Sequence, residues 1–346
     1  MSYVSWFADV GLRDRPDVGG KGGSLGEMQR AGIPVPPGFV VTTAAFERFL
    51  EAIEADSPIR ARIESLDADD LPALTACCQV VRGCLEEAPL PREVEEQIAS
   101  AHARLCGSRG GPVAARSSAT TEDAADASFA GLQDTYLWVQ DLHETLRRVR
   151  SCWASLYSVE SVSYRRKRNL PEQAVAMAVV IQSMVDARTA GVMFTRSPTT
   201  GDRSVITIEG AWGLGSAVVG GEVTPDRWVL GKITGDIAVR EISDKAIRHA
   251  PAAGGGVEAV PVQPASRRAP CLSDEELQTL RELARRVERH YGHPQDIEWA
   301  VDRASGEVLL LQSRPETVWS SKESAPVARA AGNPLAHVMS IFGGRK

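Results

Sequence analysis

No apolar run in the chain approaches the roughly 18 residues that a membrane-spanning helix needs. Nothing in MSYVSWFADVGLRDRPD matches the basic start and apolar stretch of a signal peptide. The six cysteines (Cys77, Cys78, Cys84, Cys106, Cys152 and Cys271) form no CxxC pair and keep no regular spacing, which excludes a disulfide scaffold. Aromatic residues are only 5% and are not interleaved with basic ones, so no base-stacking surface is expected. Basic residues are also outnumbered, 39 against 45 acidic, and the net charge of −6 weakens a nucleic-acid reading. The chain therefore reads as a reduced, cytoplasmic protein with neither membrane nor nucleic acid among its partners.

With 43% hydrophobic and 24% charged residues, the 346-residue chain has the balance of a soluble protein with a core to bury. At about 150 residues per domain, its length suggests two units or one large one. Periodicity divides it in two. The first half predicts a strand near Val4–Phe7, a glycine-rich loop (GGKGGSLGEM) entering a short helix that stops near Gly32, and a strand in PVPPGFVVT. Four helices at three- and four-residue apolar spacing follow, then strands in PVAARSSA and DTYLWV. One long helix is expected along Leu142, Leu146, Val149, Trp153 and Leu156. Arg165–Arg168 at its end would complement the helix dipole. From about Ala174 strands dominate. Residues 250–270, rich in Ala, Gly and Pro, read as an exposed connector, and Ser273 with Glu276 predicts a capping box for a helix over 274–290. His290 and His293 are assigned to that helix's solvated end, and no repeats are present. The pattern predicts an α+β fold of two lobes with a cleft between them.

Three constellations carry possible chemistry. Gly19, Gly20, Gly22, Gly23 and Gly26 surround Lys21, a composition that lets main-chain N–H groups approach an anion. The spacing matches neither GxxxxGK[ST] nor GxGxxG, so a solvated loop weighs about equally. In VAARSSATTEDAADASFAGLQDT, Arg116 stands at a strand end before a hydroxyl-rich loop. A guanidinium fork suits phosphate oxygens, although a polar loop with a structural ion pair weighs slightly more for this piece alone. The third is a hairpin, QDIEWAVDRASGEVLLLQSR, turning at Arg303–Glu307. Centred on Ser305, it places Glu298 opposite Gln312 and Asp296 opposite Arg314. Ile297, Trp299, Val301, Leu309 and Leu311 then face the core. Opposed side chains lie roughly 5 Å apart at Cβ, so Glu298 and Gln312 can offer oxygens to one hard cation such as Mg²⁺. A solvent-facing strand pair is the competing reading. No Ser/His/Asp or Cys/His set is legible.

In order along about residues 4–319, GGKGGSLGEM with IPVPPGFVVT, RSSATTEDAADASFAGLQDT, AGVMFTRSP, WGLGSAVVGGEVTPDRW and PQDIEWA with LLLQSRP resemble the N-terminal nucleotide-binding domain of the phosphoenolpyruvate synthase and pyruvate phosphate dikinase family. Rifampicin phosphotransferase uses a similar domain. The resemblance implies an ATP-grasp-like fold clamping ATP and Mg²⁺. Its first lobe would be residues 1–185 and its second 186–320, followed by a linker-like tail over 321–346. It implies catalytic and phosphate-binding roles for Lys21, Arg116 and Arg314, and a phosphate-covering loop at Ser128, Phe129, Ala130 and Gly131. Thr135 would join the nucleotide site, with adenine at Gln182, Met184 and Val185, metal at Glu298 and Gln312, and a ribose or metal contact at Glu209.

Family members continue into a domain whose histidine carries the phosphoryl group, and none of this chain's six histidines has that motif. The resemblance therefore implies a phosphotransferase subunit acting with a phosphohistidine-domain partner, as in phenylphosphate synthase, which activates phenol. Val338–Phe342 is the candidate docking element. The alternatives are part of a phosphoenolpyruvate synthase or rifampicin phosphotransferase, or a non-catalytic ATP-sensing module.

Overall fold

The computed structural model describes residues 2–67, 70–107, 111–120, 134–168, 170–317 and 319. Val338–Phe342 and Ser128–Gly131 lie outside the described residues. The chain runs β1 (Val4–Trp6), α1 (Arg15–Arg30), β2 (Gly38–Val41), α2 (Thr43–Glu54), α3 (Ile59–Glu64), α4 (Leu71–Glu87) and α5 (Arg92–Cys106). Next come β3 (Val113–Ala119), β4 (Thr135–Val139), α6 (Leu142–Ser155), α7 (Val159–Lys167) and β5 (Met177–Ser183). The second half holds β6 (Ala187–Phe194), β7 (Val205–Trp212), α8 (Ser216–Val219), β8 (Asp226–Gly231) and β9 (Ile237–Glu241). It closes with β10 (Ile247–Pro251), β11 (Val257–Pro261), α9 (Pro264–Arg267), α10 (Asp274–Tyr291), β12 (Gln295–Asp302) and β13 (Val308–Pro315).

Two sheets organise this α+β fold, with strand orders β1-β2-β5-β3-β4 and β13-β12-β6-β7-β8-β9; β10 and β11 form a separate pair. On the first sheet, alternate residues of β5 divide two cores. Met177, Val179 and Ile181 pack with α2 and α4–α6, whereas Ala178 and Val180 face α1. The second core runs on through Val18, Leu25 and Met28 of α1 to Ile208, Trp228 and Trp299 of the second sheet and to α10. Helix α1 thus belongs to both halves. Ser24 donates to the Ser313 carbonyl (2.7 Å), and Glu27 Oε1 is 2.8 Å from His290 Nε2. His290 is therefore an inter-element contact rather than a solvated helix end.

The expected glycine-rich loop is instead helix. Low intrinsic helix propensity is overridden by close packing. Gly19 (φ +70°) breaks the helical path, and Ser118 of β3 spans the break. Its hydroxyl donates to the Val18 carbonyl (2.8 Å) and accepts from Gly22 N–H (3.1 Å), so a strand supplies the cap for the restarted helix. A Cβ at Gly19 would lie 2.1 Å from the Ser118 carbonyl oxygen.

Further expectations are corrected. The single helix from Leu142 is two helices: Ser158 caps α7 by accepting from Ser161 N–H, and Arg165 donates to the Leu156 carbonyl beyond α6. Arg165 does not serve a helix dipole at the surface; it is fully buried and forks onto both oxygens of Glu172 at 3.2 and 2.9 Å. The segment 250–270 holds most of the β10–β11 hairpin, and its glycines form the turn, where Ala252 N–H donates to the Gly256 carbonyl (3.1 Å). In the last hairpin the register is as expected at Asp296–Arg314 and Glu298–Gln312, but a bulge after Glu298 pairs Trp299 with Leu310. Val308 and Leu310 therefore enter the large core. Leu309 and Leu311 pack against a small cluster with Val185, Ala190 and Ala300.

The same substitution should act with opposite sign at two glycines. Gly19→Ala places a side chain at positive φ against backbone and should cost about 2–5 kcal/mol. Gly83→Ala, inside α4 with open space around its Cβ, should stabilise by about 0.5–1 kcal/mol. Urea denaturation of the two variants measures both, and equal signs would contradict the close-packing account of α1.

Candidate functional site

Strand β3 points Ala114, Arg116 and Ser118 to the side of the first sheet away from α2 and α4–α6. Ser118 is used by α1, which leaves Ala114 and Arg116 facing a cavity of about 430 Å³ between the two sheets. Its register neighbours are Gln182 opposite Ala114 and Thr135 opposite Arg116. Met184 and Val185 continue from β5 along the wall. The opposing wall is built by Ala190, Ala300 and Glu298 of the second sheet and by Gly215, Ser216 and Val219 around α8. Small residues on that sheet face leave room for a flat group. The volume falls in the range of small-molecule and cofactor sites.

Arg116 reaches across the cavity. Its guanidinium, 8% exposed, donates to Glu298 Oε2 (2.8 Å), Gln312 Oε1 (2.5 Å) and the Leu311 carbonyl (3.0 Å). Its Nε has no hydrogen-bond partner among the described residues. Glu298 and Gln312, paired in sequence by hairpin register, are thus held together by a cation from the other sheet. Asp296 follows on the same face of β12, and one of its oxygens, Oδ1, is buried without a hydrogen-bond partner. Burial pushes its carboxyl up to about 6 despite Arg314, whose Nε lies 3.5 Å from Oδ2.

The remaining expected residues are placed as follows. Lys21, buried, donates from Nζ to the Ser117 carbonyl (3.0 Å) beside Arg116 and does not line the cavity. Arg314, 58% exposed, sits outside the cavity lining with Asp296. Gln182 lines the cavity, but its amide donates to the Pro36 carbonyl at 3.4 Å. Glu209 shares a row across the second sheet with Gln312, Glu298, Val192 and Arg227. It lies two strands from Glu298, about 10 Å at usual strand spacing. Burial raises its carboxyl despite Arg227, 3.9 Å away. Sequence reasoning singled out no residue of the α8 wall, although WGLGSAVVGG carried the glycines that shape it.

The candidate metal ligands at this end, Glu298 and the adjoining Gln312, offer oxygen beneath the Arg116 guanidinium, a donor type that suits Mg²⁺, a cation that takes one or two carboxylates and completes its shell with water and phosphate. The buried, unpartnered Asp296 oxygen fits the same requirement. Among the described residues no cluster of three or more His, Cys, Asp or Glu could hold a metal by itself. No helix among them is long and apolar enough to cross a membrane.

Comparison with known proteins matches residues 15–333 to the pyruvate phosphate dikinase AMP/ATP-binding domain. A probable phosphoenolpyruvate synthase of Methanothermobacter thermautotrophicus is 42% identical over 92% of this chain and 46% of its own length. The phosphoenolpyruvate synthase of Aeropyrum pernix is 39% identical over 94% of this chain and 44% of its own. The chain spans less than half the length of these relatives. Among solved structures, the D-alanyl-alanine synthetase A of Vibrio cholerae matches 70% of this chain and 54% of its own at 11% identity, with a TM-score of 0.27, which is too low to bear on the site. The match over most of the chain and the identity of the relatives lead to one conclusion: this chain belongs to the pyruvate phosphate dikinase AMP/ATP-binding domain family.

Proposed function

We propose that the chain is the MgATP-binding unit of a dikinase-type phosphotransferase of the phosphoenolpyruvate synthase kind. It would pass the β-phosphoryl group of ATP, through a pyrophosphoryl intermediate, to a histidine outside these residues, leaving AMP and phosphate. The observation that carries the reading is Arg116, buried and cross-bonded to Glu298 and Gln312 at one end of a cavity whose other end is apolar. A triphosphate would compete for Arg116, whose fork suits its oxygens. Glu298 and Gln312, released from Arg116, would hold Mg²⁺. When bound, that ion supplies positive charge to the phosphoryl oxygens. Lys21, beside Arg116, and Arg314, beside Asp296, would add charge near the phosphates, and the Met184–Val185 wall would receive adenine.

A free-standing subunit with a phosphohistidine partner and a phenol as acceptor remains a second form of the same reading. It has less support, because the relatives are named phosphoenolpyruvate synthase and are more than twice as long.

Nucleotide affinity should depend on the cation through Glu298. Glu298→Ala should remove about tenfold of the Mg²⁺-dependent tightening of ATP binding, or 1.4 kcal/mol, measured by calorimetry with and without Mg²⁺. Glu307→Ala, in the exposed hairpin turn, should leave that tightening intact. Equal losses at both positions would remove the metal assignment.

Turnover should require the missing histidine. Phosphoryl transfer depends on in-line placement of the acceptor, and a misplacement of about 1 Å costs roughly a hundredfold. The chain alone should bind ATP and hydrolyse it slowly. Adding a histidine-bearing domain of a phosphoenolpyruvate synthase should yield AMP and acid-labile label from β-³²P-ATP on that domain. Label appearing on a histidine of this chain would overturn the reading. Label that requires a co-purifying small subunit instead would favour the phenylphosphate-type form.

A further inference from the structure

The α8 wall of the cavity carries a hydrogen-bonded series that the phosphate end does not use. Ser216 Oγ is 2.8 Å from His249 Nδ1, and His249 Nε2 is 3.2 Å from Glu222 Oε2. Ser216 lines the cavity, the His249 side chain is 11% exposed, and Glu222 stands at the surface. His249 is also fixed through its main chain, where its carbonyl accepts from Leu214 N–H at 3.0 Å. The imidazole therefore sits in a set place behind the wall.

An ionised carboxylate only accepts, so Glu222 requires the proton on Nε2. In the neutral ring Nδ1 is then a lone pair, and the Ser216 hydroxyl must donate to it. The hydroxyl's single proton is thereby committed away from the cavity, and Ser216 offers the cavity acceptor lone pairs only. Phosphate oxygens are themselves acceptors and gain nothing from such a group. On an adenine nucleotide the available donors are the ribose hydroxyls and the 6-amino group.

We propose that Ser216, held as an obligate acceptor by His249 and Glu222, is a specificity-determining residue that takes a hydrogen bond from a donor on the bound nucleotide, a ribose hydroxyl or the base amine. The inference rests on the reading of the cavity as an ATP site. It makes His249 a positioning residue, acting through Ser216 without touching the ligand.

The test compares Mg²⁺-dependent binding of ATP, 2′-deoxy-ATP, 3′-deoxy-ATP and a purine ribonucleoside triphosphate lacking the 6-amino group, at pH 8, to the full chain. One analogue should bind about five- to tenfold more weakly than ATP, the value of one neutral hydrogen bond, and its identity tells sugar from base. Ser216→Ala should weaken ATP by the same factor and leave that analogue unchanged. His249→Phe, which frees the hydroxyl proton to rotate toward the ligand, should reduce the discrimination while retaining binding. Equal weakening of all four nucleotides by Ser216→Ala, or no weakening of any, would overturn the inference and leave the ATP reading standing. A wild-type chain that binds none of them would overturn both.

Discussion

Arg116 is the constraint on which the candidate site depends. It starts on the first sheet and ends on the second, so its guanidinium can be satisfied only when β3 stands at one distance from the β12–β13 hairpin. Desolvating an arginine is costly unless its partners are well placed, and removing one partner of a buried pair typically costs about 3–5 kcal/mol. Here the carboxylate, the amide and a main-chain carbonyl are supplied together. The same contact draws Glu298 and Gln312, already neighbours by hairpin register, onto one guanidinium.

Much of this was legible because short-range register determines it. A turn at Arg303–Glu307 and a period of two were enough to set Glu298 against Gln312 and Asp296 against Arg314. The same arithmetic failed one step later, at Trp299, because a bulge depends on how the strand curves over the core. The glycines of α1 were misread for a related reason. Their composition argues for a loop, and only the approach of Ser118, about a hundred residues on in sequence, makes a helix of them. Ser216 and His249 were invisible as a pair because the hairpin that brings His249 back to α8 read as a connector.

The segments that resemble the family serve two different purposes. In TPDRW, Asp226 is fully buried, 2.5 Å from Lys245 Nζ, and accepts from the main-chain N–H groups of Ser243 and Cys271, both at 2.9 Å. That cluster ties the loop after β9 and the entry to α10 onto β8 without itself lining the cavity. Gly19 likewise serves the packing of α1. Motif residues therefore divide into those that line the cavity, such as Arg116 and Glu298, and those that hold its walls at the right separation.

Helix α1 ends at residue 30, yet its polar contacts include Ser313 and Tyr291. During synthesis the helix emerges well before β13 and must wait for nearly three hundred further residues until that strand exists to receive it. Contacts of such sequence separation are slow to form and leave the apolar face of α1 uncovered in the interval. The two walls of the cavity can therefore come together only after β13 has been synthesised. A ribosome stalled before the last hairpin would display the helical layer of the first sheet without the cavity between the sheets.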